Sequence, residues 1–85
     1  MKYTVIIRAS AQKAIGKIEK KFAQKIIERI DLLEIDPRHA GSIKLSGEEN
    51  AYRTRVGKYR IIYEIYDSEV LVLVINVDHR KDVYR

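Results

Sequence analysis

An α+β fold follows from the order in which two hydrophobic periodicities occur along the chain. A strand-like alternation over residues 1–8 gives way to helical spacing as far as Leu33, and period two returns from Ala51 onward. Helices and strands segregated in this way pack as helices on one face of a largely antiparallel sheet, here strand, helix hairpin and three-strand meander. A chain of 85 residues has room for one small domain, 1–85, burying somewhat over roughly 60% of its unfolded surface.

In residues 1–8, Tyr3, Val5 and Ile7 share one face of a first strand and Ile6 lies on the other. Ser10 stands where a helix N-cap belongs, since its hydroxyl can accept from unpaired first-turn amides. Ala11, Ala14, Ile15 and Ile18 recur at helical spacing, so a first helix is predicted to about Lys20, weakened by ~1 kcal/mol at Gly16. A sharp turn near Lys20-Lys21 follows, because Phe22, Ile26, Ile27, Ile30 and Leu33 restart the stripe in a new phase. Pro37 disfavours helical geometry at Asp36 and ends the second helix. Residues 37–41 are predicted loop, 42–45 a short extended piece, and 46–50 a turn into the sheet.

The meander is the most informative stretch. Ala51–Val56 alternates, with Tyr52, Thr54 and Val56 on one face and Arg53 and Arg55 on the other. Gly57-Lys58 reads as a two-residue hairpin turn whose leading Gly suits the tight geometries that keep strand twist. Tyr59–Tyr66 returns with Tyr59, Ile61, Tyr63 and Ile65 on one face and Arg60, Ile62, Glu64 and Tyr66 on the other. After a turn at Asp67-Ser68-Glu69, residues 70–77 are apolar on both faces except Asn76, which predicts an interior strand. A polar, basic tail ends on Tyr84 and Arg85.

Composition narrows the partners. There is no cysteine, so disulfides and thiolate metal sites are excluded. The apolar run at 70–75 is too short to span a bilayer, and residues 1–8 form no signal segment, so a cytoplasmic protein without a membrane partner is expected. Seventeen Lys and Arg against twelve Asp and Glu give +5, which favours polyanions. His39 and His79 lie far apart and no His, Asp and Glu set has metal-ligand spacing, so neither a metal nor another cofactor is expected. The scattered glycines form no phosphate loop.

The positive signal is Arg53, Arg55 and Arg60 on the face opposite the tyrosines, with Lys58 in the turn between them. Same-face residues on neighbouring antiparallel strands stand about 4.5 to 8 Å apart, so these side chains can converge on one phosphodiester. Arginine offers planar donor forks that match phosphate oxygens. A solvated basic sheet face is the plainer alternative. Arg80, Lys81 and Arg85 follow the last strand, with Arg80 directed to the same face. Tyr84 either packs at the sheet edge, stacks on a base or exchanges a proton. His79 has an ordinary pKa near neutrality, yet an extended chain turns it away from Arg80. Lys13, Lys17, Lys20, Lys21, Lys25 and Arg29 form a second basic set on the helices, either a solvated face or a surface for RNA.

The run Tyr52-Arg53-Thr54-Arg55-Val56-Gly57-Lys58-Tyr59-Arg60-Ile61-Ile62-Tyr63-Glu64-Ile65, closed by Val77-Asp78-His79-Arg80-Lys81-Asp82-Val83-Tyr84-Arg85, resembles the RelE group of the RelE/ParE toxin superfamily. The layout of the whole chain agrees with a RelE/ParE-like fold, with the specific motifs in its last third. The resemblance implies the toxin of a type II toxin–antitoxin system that cuts messenger RNA in the ribosomal decoding site without metal. In that chemistry the RNA 2′-hydroxyl attacks the adjacent phosphate and leaves a cyclic phosphate and a 5′-hydroxyl. It also implies a RelB-like antitoxin as partner, beside ribosome and message.

Carried over by position, Arg53, Arg55, Arg60, Arg80 and Tyr84 are the implied catalytic residues, with His79 a further candidate. Lys58, Lys81, Arg85, Lys13, Lys17 and Lys21 would bind RNA. The bacterial type has lysines where this chain has Arg53 and Arg55, and arginine does not give up its proton, so a general base at these positions is in doubt. Proton transfer is left to Tyr84, His79 or the ribosomal surroundings. The alternatives are a ParE-like inhibitor of DNA gyrase and an inactive binding module of the same fold.

Overall fold

The computed structural model describes residues 2–79. Its elements are β1 (Thr4–Ile7), α1 (Ala9–Gly16), α2 (Lys20–Ile35), β2 (Ile43–Lys44), β3 (Ala51–Val56), β4 (Tyr59–Tyr66), a 3-10 turn (Asp67–Glu69) and β5 (Leu71–His79). The five strands form one sheet in the order β1-β5-β4-β3-β2. β3, β4 and β5 are the expected antiparallel meander, β1 joins it parallel to β5, and the extended piece at 42–45 becomes the two-residue edge strand β2. β5 is interior to the sheet, flanked by β1 and β4, as its two apolar faces require.

Both helices bury one stripe on one face of the sheet. Ala11, Ile26, Ile30 and Leu33 meet Ile61, Tyr63, Ile65, Val72, Val74 and Val77, with Tyr3, Val5, Ile7, Tyr52, Val56 and Tyr59 packed around them. The tyrosine stripes therefore face the helices, and the alternate residues form the opposite face.

The first helix differs from expectation at both ends. It begins at Ala9 after Arg8, with no side-chain cap, and Ser10 instead donates its hydroxyl to the Ile75 carbonyl at 2.9 Å. It ends at Gly16 rather than Lys20, because the Lys17 and Ile18 amides bond three residues back to Ala14 and Ile15 at 3.2 and 3.1 Å and tighten the last turn. Lys20 thus opens α2 instead of closing α1. That helix stops at Ile35, ahead of Pro37, and Pro37 itself offers its carbonyl to the buried Tyr63 hydroxyl at 2.7 Å.

Arg29 is not part of a solvated helix face. Its guanidinium crosses to the sheet and donates to the Thr54 hydroxyl at 2.7 Å and to the Arg55 carbonyl at 3.0 Å.

Candidate functional site

The face of the sheet opposite the helices carries the charges. Across β3 and β4, Arg53 pairs with Ile62 and Arg55 stands directly opposite Arg60. Between β4 and β5, Arg60 is opposite Asp78 and Ile62 opposite Asn76. Gly57 opens the β3–β4 turn with φ of +58°, the left-handed region a leading Gly supplies, and this short link fixes the register that opposes the two arginines. Directly opposed like charges disfavour a sheet. Neither Arg53 nor Arg55 forms an ion pair among the described residues.

A β-bulge decides what β5 contributes. Ile62 pairs with Asn76 but Tyr63 with Val74, which leaves Ile75 as the extra residue. Its carbonyl is the acceptor for Ser10. Before the bulge Leu71 and Leu73 lie on the open face; beyond it the phase flips, so Asn76 and Asp78 lie there while Val77 and His79 turn to the helix side. The isolated polar positions Asn76 and Asp78, out of phase with Leu71 and Leu73, were a readable signal of this flip.

Arg60 and Asp78 form a two-pronged pair. Arg60 Nε and Nη2 donate to Asp78 Oδ1 and Oδ2, each at 3.2 Å. The two side chains are 21% and 24% exposed, enough shelter for the fork to hold its geometry better than a pair on open surface. Farther along the same face Tyr66 donates to Glu64 Oε1 at 2.6 Å, and that bond, with some burial, raises the Tyr66 phenol above its ordinary value.

The sequence candidates divide three ways. Arg53, Arg55 and Arg60 come together on the open face, with Lys58 exposed in the turn at their end. His79 does not join them: its ring meets Tyr59 edge-on at 5.3 Å on the helix side. Lys13, Lys17 and Lys21 are exposed on the helical layer across the sheet, with Lys21 Nζ 5.1 Å from the Phe22 ring centroid. Arg80, Lys81, Tyr84 and Arg85 lie outside the described residues. Asp78 was not among the candidates.

At the far end of the molecule Arg38 clasps Asp67 at 3.1 and 2.8 Å, and Tyr3 donates to the same carboxylate at 2.8 Å. These bonds hold the Asp67 carboxyl below its ordinary range. They tie the turn before β5 to β1 and to the loop after α2.

Comparison with known proteins agrees with this architecture. Residues 5–84 match the family described as the ParE toxin of the type II toxin–antitoxin system parDE. Toxin RelG of Mycobacterium tuberculosis is 29% identical over 86 residues, spanning 100% of this chain and 99% of that protein. The fold is similar to the toxin–antitoxin complex RelBE2 of M. tuberculosis, with a TM-score of 0.84 at 27% identity over 94% of this chain and 100% of the other. It is equally close to the archaeal RelE–RelB complex of Pyrococcus horikoshii, with a TM-score of 0.82 at 30% identity over 94% and 97%. A sheet backed on one side by a helix hairpin is thus the frame of a known group, and the chain belongs to the RelE/ParE superfamily as a RelE-type toxin of a type II toxin–antitoxin system.

Proposed function

We propose that this toxin is a ribosome-dependent, metal-independent endoribonuclease of messenger RNA that stops translation in the cytoplasm. The observation that carries the reading is Arg55 opposed to Arg60 with Arg53 on the same face. An arrangement that works against the sheet is expected where it serves an anion.

A bridging phosphate in reach of three guanidinium groups gains its largest stabilisation when charge builds on its nonbridging oxygens. In the reaction the 2′-oxygen forms a bond to phosphorus as the bond to the 5′-oxygen breaks, so one proton leaves the 2′-hydroxyl and one reaches the departing oxygen. Arginine binds and neutralises but does not take the first proton. With His79 on the other side of the sheet, proton transfer falls to Tyr84 or to groups of the ribosome. Arg80, Lys81 and Arg85 are proposed to bind RNA phosphate as well, and Lys58, Lys13, Lys17 and Lys21 to contribute charge toward RNA.

A small RelB-like antitoxin is the proposed partner, since the similar structures from M. tuberculosis and P. horikoshii are toxin–antitoxin complexes. The match to the ParE toxin family favours a second reading, inhibition of DNA gyrase by the same fold. One experiment separates them: purified toxin is assayed on ribosome-bound message and on gyrase supercoiling. Cleaved message with intact supercoiling supports the nuclease. Intact message with blocked supercoiling overturns it.

A further inference from the structure

The open face sets a carboxylate directly against one of its arginines, which a phosphate-binding surface would not select for its charge: Asp78 against Arg60. A negative group here lowers the face's attraction for RNA. Two roles are open to it. It could occupy the arginine in place of phosphate, or it could hold the arginine so that phosphate meets a fixed donor set.

The donor atoms decide between them. Asp78 takes Nε and one Nη2 proton, the side-on edge of the guanidinium. Arginine has five N–H donors, so both Nη1 protons and the second Nη2 proton remain, and those are the donors of the end-on fork. Arg60 is therefore held without being used up. The need for a hold is also local: Arg55 stands directly opposite and repels it. A long arginine between a like charge and solvent would otherwise spread over many rotamers.

The placement of the carboxylate depends on the bulge. In an unbroken β5, Asp78 would share the phase of Val72 and Val74 and point into the helix side. The extra residue at Ile75, whose carbonyl is met by Ser10, turns Asp78 outward to the position opposite Arg60.

We infer that Asp78 is a positioning residue for the proposed cleavage, fixing the side-on edge of Arg60 so that its end-on fork is preorganised for the scissile phosphate. The inference rests on the nuclease reading.

The test is a cycle of Asp78→Asn and Arg60→Ala, singly and together, with two readouts: the single-turnover rate on ribosome-bound message and the affinity for a short single-stranded RNA. Misplacing a catalytic donor costs on the order of 10²-fold in rate. Asp78→Asn is expected to lower the rate to that extent in the Arg60 protein and to leave it unchanged in the Arg60→Ala background. RNA affinity should hold or tighten, because a negative charge has gone. A merely structural role would lower the rate in both backgrounds, and a competing role would raise rate and affinity together; either result overturns the inference. Asp78→Glu keeps the charge and should recover part of the lost rate, which carries the test if the Asn variant does not fold; a Glu rate equal to wild type or no better than Arg60→Ala counts against it. Wild-type protein that leaves message intact overturns the nuclease reading itself, whereas active wild type with an equally active Asp78→Asn overturns only the role of Asp78.

Discussion

Arg29 on α2 reaches the back of β3 at two points, the Thr54 hydroxyl at 2.7 Å and the Arg55 carbonyl at 3.0 Å. One cation of the helical layer thereby anchors the backbone from which Arg55 projects on the opposite face. Thr54 is 1% exposed, so without Arg29 its hydroxyl loses a buried partner that water does not readily replace. Arg29→Ala should lower stability by ~1–3 kcal/mol, measured as the shift in urea midpoint at constant slope.

Arg55→Ala should separate activity from stability. Removing one of two directly opposed like charges relieves the sheet by roughly 0.2–1 kcal/mol, while losing a preorganised donor costs on the order of 10²- to 10³-fold in cleavage. A higher urea midpoint with a lower rate on ribosome-bound message is the expected pair of outcomes. A fall in both would mean that Arg55 supports the fold.

The loop after α2 should make the protein sensitive to mild acid. His39 Nδ1 accepts from the Gly41 amide at 3.1 Å, so the neutral ring carries its proton on Nε2, which is buried without a partner among the described residues. Burial, then the charge of Arg29, lowers its pKa from 6.5 against a smaller opposite pull from Asp36. A histidine kept neutral in the fold contributes stability above its unfolded value, and that contribution is lost as pH falls through 6.5 toward the folded value. Urea midpoints from about pH 7.5 to about pH 5.5 should fall more steeply for wild type than for His39→Gln. Asp67 acts in a separate window, because its lowered pKa gives stability that is lost only as pH falls below 3.8.

Tyr63 sets the alkaline limit. Burial raises its phenol from 10.0 to about 12, and its hydroxyl donates to the Pro37 carbonyl at 2.7 Å. The folded state holds this proton more tightly than the unfolded chain, so stability present below 10.0 is lost as pH climbs toward about 12. Tyr63→Phe should cost ~0.5–1.5 kcal/mol near neutrality and flatten the alkaline loss, followed by denaturation midpoints.

Most of the layering was legible because periodicity reports which face of an element is apolar. The tyrosine and arginine stripes of β3 and β4 came out on opposite faces, and Pro37 marked the end of α2. What was not legible depends on contacts between distant segments. Ser10 has the chemistry of a helix cap, but its partner is the bulge carbonyl of Ile75, which only the folded sheet brings near. Arg29 reads as one more surface cation until β3 is placed behind it. Asp78 is a different case: alternation counted straight through β5 passes over the flip at Ile75, although the polar positions Asn76 and Asp78, out of phase with Leu71 and Leu73, mark it.

The order in which the ribosome delivers the strands gives the sheet a timetable. The β3–β4 hairpin is local and can form early, opposing Arg55 and Arg60 as soon as both have emerged. β1, made first, has no strand to pair with until β5 arrives, since Thr4 pairs with Leu71 and Ile7 with Val74. The same strand delivers Asp78 to Arg60. A chain halted before β5 therefore has an unpaired first strand and an unsteadied arginine pair, and the final strand of the sheet completes both at one stroke. The arginine pair proposed to meet RNA is thus steadied only once β5 has joined the sheet.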